Sequence, residues 1–498
     1  MVSNTKWPVE RLLRVREEEV LTQRKTDLGP LDETLARHHE LPIANRADAR
    51  LRRNHELGRI SLHPRHGETL VDGQVKAMIA LRDGTADLVS ILTDPYTRQL
   101  RFDDAARALS ESVEAGRSLI SGYPVVSHGV AVTREIVDAV QCPVSVRMAS
   151  ADSRLSKELY LASGATYAFM GPMQNLAYEK YATPEELIEH YQYEDRLVGL
   201  LEENGCPVVK ELPATLTGTL VPPCIVLSST IIDALLAVEQ GVRRVVCSYG
   251  LLGNLIQDVA AVHALRQVAP AMIAEIADDV EFYVDVAQWM GDFPQDEGDA
   301  LGIVVTGAIA GALGGADEII TKSIDEAFGV PTLEANVAGV RATRQAVDAC
   351  AGQAFESSPE LDAEVDVIRR SVEAILARTL ELGHGDLARG ASAAIRAGVF
   401  DVPFSPSLHN AGRATPVRDL AGRVRWLDPG NIPLPDDIRA FHAERVSGRA
   451  AVATKPGYQM VVEDVLGFSR GLEASRTQRV DDVDPAATKA RDPASPRS

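Results

Sequence analysis

Aromatic residues make up only 5% of the 498-residue sequence, and only five cysteines occur. Cys142, Cys206, Cys224, Cys247 and Cys350 are scattered and odd in number. They form no CxxC pair and no zinc spacing, which argues against a disulfide framework and leaves reduced, mostly buried thiols. Long apolar runs are missing too. No stretch of about 18 apolar residues is free of glycines and charges, so no membrane span is expected. The first residues, MVSNTKWPVERLLRVREEEV, are charged throughout and lack a signal-peptide core, so a cytoplasmic location is expected. Positive charge is scarce: 51 Lys and Arg stand against 71 Asp and Glu, a net charge of −20. That balance favours solubility and disfavours nucleic acid as a partner.

What is present is a repeated alternation. Residues 1–55 read as polar helices, an N-terminal extension. Residues 56–400 alternate short apolar runs with helical patterns. The candidate strands are ISLHPR, ADLVSILTD, PVVSHG, PVSVRMAS, ATYAFMG, VVKELP, RRVVCSYG, EFYVDVAQ and DEIITKS. Thr183-Pro-Glu-Glu186 has the form of an N-cap, a first-turn proline and a capping box, and Gly205 can end that helix. Repeated strand–helix units imply parallel strands and favour a closed (β/α)8 TIM barrel over an open sheet. No GxGxxG follows the first strand to support the open alternative. DEGDALGIVVTGAIAGALGGADE reads as a buried, close-packed helix. Residues 401–475 read as a C-terminal wrapping segment. Residues 476–498, rich in charge, Pro, Ala and Ser, read as a disordered tail.

In a barrel, chemistry sits where strands end. HPRHG places Arg65 there, LTDPYTRQLRF places Arg98 and Arg101, and VSVRMAS places Arg147. Each arginine alone could pair with a rim carboxylate. Several together, in an acidic chain, suggest a clamp for a small dicarboxylate, since each guanidinium offers a two-pronged fork. TKSIDE sets Lys322 and Glu326 four residues apart at another strand end, a spacing that also suits a surface ion pair. A cofactor-free barrel lyase would need a Schiff-base lysine, for which Lys322 and Lys210 are candidates, or a metal, for which His63, His66 and Glu68 can be drawn together.

Read in order, PRHG, YTRQ–R, AGRSL, DSRL, TGTLVPP, EQGV, YG–GN–IQD, QWMG–FPQDE, EANVAG, NAG–PVRD and GN–P resemble the large catalytic component of glutamate mutase (methylaspartate mutase, epsilon component) over about residues 5–470. The resemblance implies a (β/α)8 barrel that holds adenosylcobalamin (coenzyme B12) against a small partner subunit. It implies a radical isomerisation in which a 5′-deoxyadenosyl radical takes a hydrogen atom from L-glutamate, and the resulting substrate radical fragments to a glycyl radical and acrylate and recombines as a 3-methylaspartate radical. Arg65, Arg98 and Arg147 match the family's substrate-binding arginines, and Tyr178 a substrate-contacting tyrosine. Lys322, Glu326 and Val330 match positions around the adenosyl group. Gly67 and Phe293 match cobalamin contacts, and Ser121 and Ala177 occupy two further contact positions with altered residues. None of the 11 histidines lies in an Asp-x-His-x-x-Gly pattern. The cobalt ligand is therefore expected from a separate small cobalamin-binding subunit, in a heterotetramer with two large subunits at its centre.

The chain departs from the family pattern at ATYAFMGPMQNLAYEKY. Phe169 stands where the family places the glutamate that receives the substrate's ammonium group, and Met148 replaces a histidine. Three readings follow. One is a glutamate mutase whose amine contact is re-routed through Gln174, Asn175 or Glu179. Another is a B12-dependent mutase for a different small dicarboxylate. The third is a catalytically silent scaffold for the cobalamin subunit, against which the retained arginines argue.

Overall fold

In the computed structural model, residues 2–353, 357–465 and 467 are described. Eight parallel strands form one sheet in the order β1-β8-β7-β6-β5-β4-β3-β2. They are β1 (Ser61–Pro64), β2 (Val89–Leu92), β3 (Val144–Arg147), β4 (Tyr167–Phe169), β5 (Val209–Leu212), β6 (Arg244–Gly250), β7 (Glu281–Ala287) and β8 (Glu318–Thr321). Pairing of β1 with β8 sets Ser61 opposite Glu318 and brings the first strand to the last. The seam between β1 and β2 is less regular. Asp87 N donates to Leu62 O at 2.9 Å, Ser90 Oγ to Pro64 O at 2.5 Å and Leu92 N to His66 O at 3.0 Å. With helices packed around the ring, this is the expected (β/α)8 architecture.

Eight of the nine candidate strands correspond to strands of this sheet. PVVSHG does not: it opens the helix Val125–Val140. The apolar pair after Pro124 mimics a strand, but only Tyr123, just before it, bridges Thr93, and the chain turns helical from Val125. Gly129 breaks that helix at φ 80°, and the Asp27 carboxylate accepts from Val130 N at 2.7 Å and Ala131 N at 3.0 Å, recapping it. At Thr183 the capping box forms as anticipated.

Helix Glu297–Gly314 is, by length and composition, the one helix among the described residues that could cross a membrane. Here it packs on the barrel wall. A Cβ on Gly311 would lie 2.9 Å from Ile319 Cδ1, and one on Gly314 would lie 3.3 Å from Val262. Gly311 and Gly314 serve close approach to β8 and the neighbouring helix, but only 39% of the helix is buried, so it is a wall helix with an open face and not the buried helix expected.

The barrel interior has two kinds of filling. Leu88, Tyr167, Val209, Val246 and Tyr283 form an apolar cluster with Ala47 and Leu51, so helix Ala47–Glu56 of the N-terminal extension plugs one end. Beyond this cluster the lining turns polar: His63, Ser145, Glu211, Asp285 and Glu318 are all fully buried. Barrel cores are usually layers of branched aliphatics, so this polar layer marks the end where function is to be sought.

The extension is tied to the outer helices. Trp7 N donates to Gln240 Oε1 at 2.9 Å, and Arg16 pairs with Glu158 at 2.7 Å. The His38 ring has Nε2 2.9 Å from Leu161 O. Burial lowers the pKa of His38 to about 4, against about 6.5 in an unfolded chain. The unfolded chain therefore binds this proton more readily. The contribution to stability is complete above about pH 6.5 and is lost as pH falls toward about 4, by up to about 1.4 kcal/mol per pH unit. His38→Gln, which keeps a donor, should make the unfolding free energy less acid-sensitive between about pH 7 and about pH 5 in a denaturant series.

After the barrel, the chain returns over the strand-end loops. Thr217 Oγ1 donates to Pro403 O at 3.0 Å, Ser405 Oγ to Ala177 O at 3.3 Å, and Leu408 N to Lys180 O at 3.1 Å. The hairpin β9 (Thr415–Arg418) and β10 (Val424–Asp428) follows. Its anchor is ionic: Arg425 pairs with Asp419 at 2.8 Å, and its Nη1 donates to Glu364 at 2.9 Å. The expected disordered tail and the last part of the wrapping segment lie outside the described residues.

Candidate active site

A cavity of about 460 Å³ opens at the strand ends and is lined by Arg65, Arg98 and Arg147 together with Met148, Phe169, Gln174, Tyr178, Glu179 and Met290. The three arginines come from three places: the end of β1, the short helix Pro95–Arg98 after β2, and the last residue of β3. Asp94 fixes the second by accepting from Tyr96 N at 2.9 Å and Thr97 N at 3.0 Å. Arg101, the other arginine of that stretch, pairs outward with Asp104 at 2.7 Å.

The three cations are not equivalent. Arg147 donates through Nη1 to Glu211 Oε1 at 2.5 Å, and its Nη2 lies 3.0 Å from His63 Nδ1. Arg65 has no carboxylate partner among the described residues; its Nη1 faces Met290 Sδ at 3.7 Å and its buried Nε is unsatisfied. Arg98 likewise keeps a buried, unsatisfied Nε. Burial, and for Arg65 the adjacent Arg147 charge, hold both guanidinium groups below the usual arginine range. Positive charge held this way calls for an anion.

The layer beneath raises that demand. His63 Nδ1 lies 2.5 Å from Glu318 Oε1, His63 Nε2 lies 2.8 Å from Ser145 Oγ, and Tyr167 donates to Glu318 Oε2 at 2.9 Å. Burial, then the flanking Arg147 and Arg65, push His63 well below its usual range. Burial, then the Glu211 charge, push Asp285 and Glu318 well above theirs. With those two carboxyls driven toward their neutral forms, Glu211, already paired with Arg147, and Glu326 offset only part of the Arg65 charge.

His63, Glu211 and Glu318 bring ligand atoms within 4.8 Å of one another, a spacing a metal could use. The Arg147 guanidinium already contacts two of the three, so a cation occupies that place. The sequence drawing of His63, His66 and Glu68 as one metal site is overturned. His66 Nε2 lies 3.6 Å from Glu68 Oε1, while His63 points into the barrel interior toward Glu318. Lys210 is corrected as well. Side chains alternate along β5, so Glu211 faces inward and Lys210 outward, where it pairs with Asp195 at 2.6 Å, fully buried.

The loop after β4 is held firmly. Lys157 Nζ donates to Phe169 O at 2.8 Å, and Asp233 accepts from Met173 N at 2.9 Å and Gln174 N at 3.3 Å. Gly171 lies so close that a Cβ there would meet the Asp233 carboxylate at 2.4 Å. This places the Phe169 ring 4.5 Å from the Arg147 guanidinium carbon, a cation–π contact. It also sets Tyr178 at the rim, its hydroxyl accepting from Gln174 Nε2 at 2.6 Å.

The residues matched to cofactor contacts fall into two groups. Lys322 Nζ lies 2.5 Å from Glu326 Oε2 and 5.9 Å from the Phe293 ring, itself buried. Nearby on the chain, Val330 is 65% exposed, and Ser121 is exposed on the loop before Gly122. Ala177 is buried, its carbonyl taken by Ser405. Gly67 has a reason of its own to lack a side chain: a Cβ would lie 2.7 Å from Leu92 Cβ and 2.9 Å from Gly122 Cα.

The sequence model of the methylaspartate mutase E chain (MutE) matches residues 41–476. The chain belongs to this family. Its relatives include the glutamate mutase epsilon subunit of Desulfitobacterium hafniense (strain Y51), 40% identical over 480 residues, covering 95% of this chain and 99% of the relative. The glutamate mutase epsilon subunit of Escherichia coli O157:H7 is 40% identical over 446 residues, 89% of this chain and 92% of the relative. That of Haloarcula marismortui is 37% identical over 443 residues, 88% and 90% respectively. The MutE-family chain is thus an isomerase component of the mutase type. Sequence reasoning missed the Glu211–Asp285–Glu318 layer that underlies its cavity.

Proposed function

We propose that this chain is the substrate-binding barrel of an adenosylcobalamin-dependent carbon-skeleton mutase that interconverts L-glutamate and 3-methylaspartate. One observation carries the reading: three arginines converge on one cavity, and two of them have no ion-pair partner among the described residues. A dicarboxylate supplies both missing charges through forked hydrogen bonds. Arg65 and Arg98 would hold the substrate carboxylates, while Arg147, locked by Glu211, completes the wall. Such fixed cations orient the substrate at no cost in reorganisation.

The residues at the mouth fit adenosylcobalamin. Lys322 and Glu326 offer a donor and an acceptor side by side, and Phe328 and Val330 present large exposed apolar side chains beside them. When bound, that cofactor supplies the organic radical that removes a hydrogen atom from the substrate. The chain's part is to position the substrate and exclude water. Exposed apolar groups elsewhere, Tyr181 and Leu408 among them, suit cover by a small cobalamin-binding subunit carrying the cobalt ligand, in a heterotetramer.

A second reading, a mutase for another small dicarboxylate, is favoured by one contact: Phe169, packed on Arg147, gives that wall no acceptor for an ammonium group. Reconstitution with the small subunit, adenosylcobalamin and L-glutamate tests both. The first reading requires 3-methylaspartate by NMR and a cob(II)alamin signal by EPR. Cofactor binding without product from L-glutamate would remove it and leave the second.

A further inference from the structure

An amino dicarboxylate held by its carboxylates still presents an ammonium group, and burying it unpaired is costly. The cavity offers few acceptors. The Phe169 ring lies against Arg147. Gln174 is engaged at both ends: Oε1 accepts from Leu216 N at 2.8 Å and Nε2 donates to Tyr178. Asn175 is fully buried and donates to Ser150 O at 2.5 Å; its Oδ1 has no partner among the described residues, but the side chain is not among those lining the cavity. Glu211 serves Arg147.

Glu179 remains. It lines the cavity on the chain position after Tyr178 and is half-buried. Among the described residues its carboxylate has neither an ion pair nor a side-chain hydrogen bond. Burial alone raises its pKa, with no cation near enough to oppose the rise, so none of the three arginines neutralises it. A cavity lined by cations and by a carboxylate that shares no ion pair among the described residues matches the set of charges on an α-amino dicarboxylate.

We propose that Glu179 receives the substrate's ammonium group and sets the preference for an amino dicarboxylate over its amine-free analogue; this rests on the glutamate mutase reading above. The test is Glu179→Gln in the reconstituted complex, with L-glutamate as substrate and glutarate, the same carbon chain without the amine, as competitive inhibitor. The thermal midpoint confirms folding. The expected result is a loss of about 10–100-fold in kcat/KM for L-glutamate, an unchanged inhibition constant for glutarate, and partial recovery in Glu179→Asp. Wild-type turnover of L-glutamate by Glu179→Gln would overturn the assignment and leave the mutase reading standing. Equal weakening of both ligands would also overturn it, since a shape effect ignores the amine. A wild-type complex that binds glutarate yet does not convert L-glutamate would remove the underlying reading and this assignment together.

Discussion

Glu211→Ala should lower the unfolding free energy by about 3–5 kcal/mol, the penalty of stranding a buried charge. Arg147 and Glu211 are both fully buried and 2.5 Å apart. Removing the carboxylate leaves a guanidinium facing His63, which the same surroundings keep uncharged, and Phe169. Asp285 and Glu318 could take over only by giving up protons, against burial and against each other. Urea unfolding near neutral pH measures the loss. The double variant Arg147→Met, Glu211→Leu should regain most of it, because deleting both charges removes the desolvation cost with the attraction. If the single variant costs less than about 1 kcal/mol, a neighbouring carboxyl has ionised in its place, and the charge assignment of the layer is wrong.

Arg98→Lys should cut kcat/KM on the order of 100-fold, the scale of a misplaced substrate. Its stability should change by less than about 0.5 kcal/mol, since Arg98 has no ion pair among the described residues to break. The charge survives the change, but the planar fork does not, and an ammonium cannot grip a carboxylate in the same two-point geometry. Cofactor affinity is the internal control: Lys322 and Glu326 sit on the loop after β8 and should be untouched. Turnover equal to wild type would show that Arg98 does not hold substrate.

The strands were legible because a parallel barrel buries each one on both faces, leaving short apolar runs between helical patterns. PVVSHG has the same composition yet opens a helix, so composition alone did not separate the two. The arginines were legible because each ends a strand or opens the following loop. The layer beneath them was not, since Glu211, Asp285 and Glu318 come from strands far apart in sequence. A local signal existed all the same: each is an acid within or at the start of a short, largely apolar strand, where an unpaired charge is costly. The roles of Lys210 and Glu211, adjacent in sequence, were separable only by knowing which faced inward. Resemblance identified Phe169 as a departure but not its contact with Arg147, nor that Gln174 is already occupied while Glu179 has no side-chain partner among the described residues.

The return of residues 403–408 over the loops after β4 and β5 also has a bearing on biosynthesis. The walls that carry Phe169, Tyr178 and Thr215 emerge from the ribosome long before the segment that pins them. The ring itself cannot close until β8 exists to pair with β1. Such distant pairings make folding slow, and the rim waits longer still. The nascent chain thus carries an unfinished pocket for most of its synthesis, and the mouth of the cavity is completed only after the barrel that bears it.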